Sequence, residues 1–377
     1  MLLIQKMSYW FIALNFCFTQ VLPLTHRYFH TEDMGYNYSR GIYIIVLADQ
    51  SLENVLGEFE NTRDYINFKK TQGFDVEIIT FGDDVGGTKE ELKEYLMNYN
   101  ANNNSLVEYV LLVGDIDGPF IIPSFKIPSY NESDLDVTDY PYTFIDNGNM
   151  LNPEFLIGRW SIRNKDDLKV IKFKTIQYIM MEHITDHSFL NNALLVAGNY
   201  SNTPPSPVTP VWTSKWLMDE LNQYGYDTID TAFYHLEYPE VNNSLIETAW
   251  NDGVGIINYR GWGDVNGWHY PDFDLNDIDN ELNNQLFLPV VMSFVCNTGD
   301  FGNNHSGDGL QESFGEVLIT SGSTNNPKGA AAMIGPSDLD TDTKFNNVIC
   351  AVMWDELLEG RIPELATALH AGKQALI

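Results

Sequence analysis

The chain has 377 residues, 44% of them hydrophobic and 13% aromatic, enough apolar side chain for a packed interior of one large domain or two smaller ones. Its 52 acidic against 21 basic residues leave a net charge of −31, which repels a nucleic-acid backbone and an anionic membrane surface alike. The same surplus serves solubility without any partner. Three cysteines, at positions 17, 296 and 350, are too few for a disulfide framework, and no Cys/His spacing suits zinc.

Residues 1–25 resemble a signal peptide: Lys6 supplies a cation, and an uncharged apolar run from Tyr9 to Leu24 follows. No small-x-small cleavage site closes it. The expectation is bacterial-type export to the cell surface or medium, with 26–40 as a polar linker. No later run approaches the roughly 20 apolar residues of a membrane span.

A strand at 42–48, a helix over 52–72 ended by Gly73 and a strand at 76–80 come next. Thr88 and Glu91 form a capping box opening a helix through Tyr99, and 107–113 is a third strand. This alternation predicts a parallel sheet with right-handed crossovers. Residues 119–153, rich in proline and aspartate, read as loops and short strands. A short strand at 155–158 and an amphipathic helix at 166–182 end an N-terminal α/β subdomain, 41–183. A second α/β subdomain spans 184–377. Its strands fall at 193–197, 255–259, 289–296 and 329–335. Its helices fall at 212–224, stopped by Gly225, and at 244–251, 313–318 and 345–358.

Two strand ends carry candidate chemistry. The apolar run 288–296 delivers Cys296 to a carboxyl strand end, where open α/β sheets build their crevices, and Asn297, Thr298, Gly299 and Asp300 turn the chain. A thiol presented there is a candidate nucleophile, although a free cysteine is commonly a small buried hydrophobe. The other end is 256–264, where Gly261 and Gly263 allow close backbone approach. The N–H groups of Gly263 and Cys296 are candidate oxyanion donors, against the plainer reading of an ordinary strand-to-loop turn.

Over positions 40–377 the chain resembles the gingipain family of cysteine endopeptidases. The resemblance rests on ordered blocks: Glu108-Tyr-Val-Leu-Leu-Val-Gly-Asp115, Glu154-Phe-Leu-Ile-Gly-Arg159, Tyr259-Arg-Gly-Trp-Gly263, Cys296-Asn-Thr-Gly-Asp-Phe301, Ser313-Phe-Gly-Glu316 and Ala332-Met-Ile-Gly335. It implies a caspase-like fold, with two adjacent, mainly parallel sheets flanked by helices. It also implies a Cys–His dyad acting on proteins or peptides, with no required cofactor. Cys296 falls on the nucleophile, Glu154 on the acid that supports the histidine, and Gly263 on an oxyanion-hole glycine.

The family's histidine sits in a Gly-His-Gly turn, which here is Gly261-Trp262-Gly263. An indole N–H only donates and cannot act as a base. His269, in the same loop, is the candidate replacement, and His305 a weaker one; Trp262 and Trp268 are expected to border the cleft. The family binds calcium, so Asp134, Asp136 and Asp139, and Asp272, Asp274, Asp277 and Asp279, are candidate oxygen ligands. Neither run has the central glycine of an EF-hand, and Asp274 or Asn276 also suits a helix cap. Cys350 lies on an apolar helix face and reads as core. Two alternatives stand beside the peptidase: a catalytically silent homologue that binds peptides in the old cleft, and a relative of secretion-associated sortases. Geometry separates them, because catalysis needs an imidazole within reach of the Cys296 sulfur.

Overall fold

The computed structural model describes residues 39–131, 133–146, 150–203, 208–236, 241, 243–302 and 312–377. The leader 1–25, nearly all of the linker, and His305 lie outside the described residues.

Strands β1 (Ile42–Leu47), β2 (Asp75–Thr80), β3 (Val107–Val113) and β6 (Leu156–Trp160) form a parallel sheet in the order β2-β1-β3-β6. A two-stranded ribbon of β4 (Phe125–Pro128) and β5 (Leu135–Thr138) rises between β3 and β6 in sequence. The second sheet is also parallel, built from β7 (Asn192–Gly198), β8 (Thr228–Tyr234), β9 (Ile256–Arg260), β13 (Val290–Phe294) and β14 (Ala332–Ile334), in the order β14-β13-β9-β7-β8. Between β9 and β13 in sequence stand three short antiparallel strands: β10 (Gly263–Asp264), β11 (Gly267–His269) and β12 (Asp272–Asp274).

Helices cover both faces of each sheet, which is why the central strands read as unbroken apolar runs rather than alternating ones. In β1, Tyr43, Ile45 and Leu47 join one core while Ile44 and Val46 join the core opposite. In the second sheet Leu194, Ile257 and Val291 face one way, and Leu195, Val290 and Met292 the other.

The helices are α1 (Glu53–Leu56), α2 (Tyr65–Thr71), α3 (Lys89–Asn102), α4 (Lys165–Met180), α5 (Thr209–Tyr224), α6 (Asn243–Asp252), α7 (Leu275–Asn280), α8 (Phe314–Thr320), α9 (Thr343–Leu358) and α10 (Leu365–Gln374). The capping box of α3 forms between Thr88 and Glu91 as its spacing predicts. Gly225, at φ 108°, ends α5 in the left-handed region.

Three expectations are corrected. The helix expected over 52–72 is two short ones: Glu60 and Asn61 take φ of 44° and 66°, Phe59 bridges to Thr62, and Asp64 caps α2 anew. Strand β8 escapes the sequence because it is an edge strand whose polar Asp230 and Thr231 break any apolar pattern. Helix α4 is a shared wall rather than a boundary. Its fully buried Lys172 donates to Val55 O and Gly57 O at 2.6 and 2.8 Å, while Lys174 donates to Leu318 O and Lys328 O at 3.1 and 2.8 Å. Among the described residues no helix is long and apolar enough to cross a membrane.

Candidate functional site

Cys296 lies two residues beyond β13, at the carboxyl end of the second sheet, and is half-buried. The chain turns there through Asn297, whose φ of 58° is left-handed. The loop after β14 holds this turn from outside: Asn297 N–H donates to Asp338 O at 3.0 Å, and Gly299 N–H to Pro336 O at 2.9 Å. Within it, Ser293 and Thr298 hydroxyls lie 2.9 Å apart. The Cys296 sulfur is 3.4 Å from Thr341 Oγ1 and 3.9 Å from Thr341 O, and Asn346 Nδ2 donates to the same Thr341 hydroxyl at 2.8 Å. Burial pushes the Cys296 thiol upward, an effect only partly offset by Thr341, and the charge of Asp340 adds to it. The resting sulfur is therefore a protonated thiol.

The neighbouring strand end brings the glycine turn against it. Arg260 and Phe294 are register partners on β9 and β13, so residues 262 and 296 leave the sheet side by side. A Cβ on Gly261 would fall 2.5 Å from the Tyr259 hydroxyl, and one on Gly263 would fall 2.5 Å from Gly267 O and 3.3 Å from Val295. Both positions exclude a side chain, and Gly263 packs beside the residue preceding Cys296. Because His269 N–H donates to Trp262 O at 2.9 Å, ladder alternation turns the Gly263 N–H away from β11.

His269 ends β11 and pairs through Nε2 with Asp264 Oδ2 at 3.0 Å. That bond, with Asp264's charge, raises the imidazole above its ordinary value despite burial. On Asp264, burial is outweighed by hydrogen bonds from His269 and Asn266, so its carboxyl stays low. The neutral ring keeps its Nε2–H on the carboxylate and leaves Nδ1 unprotonated, and proton uptake there is eased by Asp264. Among the described residues the sulfur's hydrogen-bond partner is Thr341, and His269 makes no bond to it.

The other expected site residues separate. Glu154 stands at the amino end of β6, where Asn100 Nδ2 reaches it at 3.5 Å and its N–H donates to Thr143 O. It does not touch His269; Asp264 is the carboxylate that does. Asp264 was missed because the pairing runs across a hairpin, although a carboxylate two residues into a strand and a histidine at its return strand's end could have flagged it. Trp262 is 51% exposed and lies against Tyr200, His269 and Tyr270, with ring centroids 5.8–6.3 Å away. Trp268 is not a cleft residue. It is fully buried, stacks on Tyr259 at 4.4 Å and donates to Ser293 Oγ at 3.0 Å.

Cys350 is core, with its thiol 3.6 Å from Asn258 Oδ1 and pushed up to about 12 by burial. Iodoacetamide should therefore label Cys296 about tenfold or more faster than Cys350 in the folded protein, read by peptide mass mapping. Equal, slow labelling would show a sulfur closed to reagents.

Several aspartates of the two runs are engaged with protein partners. Asp139 takes both guanidinium arms of Arg159 at 2.8 Å, and Asp274 and Asp277 form the capping box of α7. Burial, with Asp338 and Asp300 nearby, pushes Asp136 up to about 6. Among the described residues no three His, Cys, Asp or Glu side chains are grouped to hold a metal.

Comparison with known proteins follows the same outline. Gingipain R1 of Porphyromonas gingivalis is 26% identical over 332 residues, covering 84% of this chain and 31% of that protein. Gingipain R2 of P. gingivalis strain W83 is 26% identical over 302 residues, covering 77% of this chain and 38% of that protein. The chain thus spans about a third of the length of the curated relatives it matches. Among solved structures, that of the Arg-specific cysteine proteinase gingipain R (RGPB) superposes with a TM-score of 0.75 at 23% identity, over 92% of this chain and 74% of that one. A complex of RgpB pro- and mature domains gives 0.74 at 24% identity, over 89% and 74%. The profile of peptidase family C25 matches residues 37–377, and the chain belongs to that family of cysteine peptidases.

Proposed function

We propose that the chain is a cysteine-type endopeptidase that cleaves peptide bonds in proteins or peptides through Cys296. The observation that carries the reading is a half-buried thiol at a carboxyl strand end, beside the side-chain-free Gly263 and one loop from an aspartate-held imidazole. With Nε2 given to Asp264, Nδ1 of His269 is the nitrogen left to exchange a proton. On substrate entry the thiol leaves Thr341, gives its proton to Nδ1, and attacks the peptide carbonyl. The N–H groups of Gly263 and Cys296 take the oxyanion. The imidazolium then protonates the leaving amine, and water hydrolyses the thioester. Catalytic hydrogen bonds are commonly long before substrate binds and tighten in the complex.

A second reading is favoured by two observations: Trp262 occupies the Gly-His-Gly position, and burial keeps the thiol protonated. It is a silent homologue, or a sortase relative, whose cleft binds a peptide segment. Cysteine-directed peptidyl probes with Arg, Lys or a neutral residue at the first subsite separate them. Covalent capture at Cys296 supports catalysis, whereas reversible peptide binding without capture supports the second. His269→Ala should lower kcat/KM about 10²–10⁴-fold, and an unchanged value would remove His269 from the mechanism. Export is part of the proposal, supported by Lys6 and the apolar run behind it; N-terminal sequencing of protein recovered from the medium tests it.

A further inference from the structure

Helix α8 begins where three pieces of the molecule meet. Its first two N–H groups leave the helix for the two loops of the site. Phe314 N–H donates to Val265 O at 2.8 Å, in the hairpin carrying Asp264 and His269, and Gly315 N–H donates to Thr298 O at 3.0 Å, in the Cys296 turn. The helix is anchored in turn by Glu316, which is 5% exposed. Glu316 Oε2 accepts from Ser313 N–H at 2.7 Å and Ser313 Oγ at 3.0 Å, and Oε1 meets the hydroxyl of buried Ser161, just past β6 of the other sheet.

We propose that Glu316 is a positioning residue: by bridging Ser313 to Ser161 it fixes the start of α8 against the first sheet and so sets the spacing between the Cys296 turn and the His269 hairpin. The proposal rests on the peptidase reading only for its consequence in catalysis; the bridge itself stands without it.

The bridge carries a proton. Burial, and then the charge of Asp115, push the Glu316 carboxyl up to about 8 against the hydrogen bonds from Ser161 and Ser313. At neutral pH the neutral acid prevails, with Oε1 meeting the Ser161 hydroxyl and Oε2 accepting from Ser313. Charged groups on the surrounding elements are already engaged. Asp115, after β3, pairs with Arg163 at 2.7 Å, and Arg163 also holds Asp117. Lys174 of α4 donates to Leu318 O, and Glu312, before α8, senses Arg163 and Asp279. Asp277 of α7 is held in its capping box. The carboxyl's folded value lies above its unfolded one. Its stabilising contribution is therefore present in full below the unfolded value and is lost as pH rises through about 8.

The test reads the rate at which iodoacetamide labels Cys296, with Cys350 as internal control, at temperatures where every variant is folded. Ser161→Ala, which leaves the helix's own capping box intact, and Glu316→Ala should each raise the Cys296 rate about tenfold, the opening expected on losing one buried hydrogen bond. Glu316→Gln, an isostere of the neutral acid, should stay near the wild-type rate. Between about pH 5 and 8 the unfolding midpoint of the wild type should fall relative to that of Glu316→Gln, the difference levelling off above about 8. Wild-type labelling in both alanine variants overturns the proposal, as does a wild-type midpoint that runs parallel to that of Glu316→Gln across this range. Failure of the peptidase reading would look different: no cleavage by the wild type, with the labelling differences intact.

Discussion

Replacing Cys296 with alanine should reduce peptide cleavage by about 10⁴-fold or more, because the hydroxyls nearby are far weaker nucleophiles than the thiol. The sulfur is half-buried and, among the described residues, hydrogen-bonded to Thr341, so its removal should cost about 1 kcal/mol of stability, the worth of one modest hydrogen bond. Cys350→Ala is the informative control. That thiol is sealed between α9 and β9, so its loss should lower the melting temperature while leaving turnover near wild type. Cleavage of a peptide substrate and thermal melting, measured on both variants, give opposite patterns if the two sulfurs differ as their surroundings indicate. Full activity in Cys296→Ala would end the covalent mechanism.

How far a residue's place could be read from sequence tracks how local the determining forces are. Cys296 was legible because β13 is apolar on both faces and the turn follows at once. The two parallel sheets were legible for the same reason, and the capping box of α3 because it needs only four residues. Trp262 and Trp268 could not be told apart from composition. Only the hairpin register leaves one indole in solvent and presses the other onto Tyr259. Glu154 came from the family resemblance alone, and in the structure it stands at the amino end of β6. It precedes β6 while Ser161 follows, a separation of about 20 Å along an extended strand, and it is Ser161's end that reaches α8. The Ser161–Glu316 bridge joins residues 155 apart in the chain, and no pattern of spacing could have announced it.

The same side-by-side exit of residues 262 and 296 makes Trp262→His the sharpest test of what this site lacks. Arg260 and Phe294 are opposite each other, so an imidazole at 262 would stand at the strand end neighbouring the one that carries the thiol. The tryptophan ring is half in solvent, tilted against Tyr200 and Tyr270 and edge-on to His269, so its loss should leave the fold intact. A base there would take the thiol proton directly, and the thiolate would gain an imidazolium partner against the burial that now holds it neutral. We expect kcat/KM on a peptide substrate to rise about 10²–10⁴-fold, and iodoacetamide labelling of Cys296 to become rapid at neutral pH. If His269 serves as the wild-type base, Trp262→His should also restore activity to His269→Ala. A variant that neither cleaves faster nor labels faster would mean that position 262 faces away from the sulfur, and the strand register would then not carry the geometry of this site.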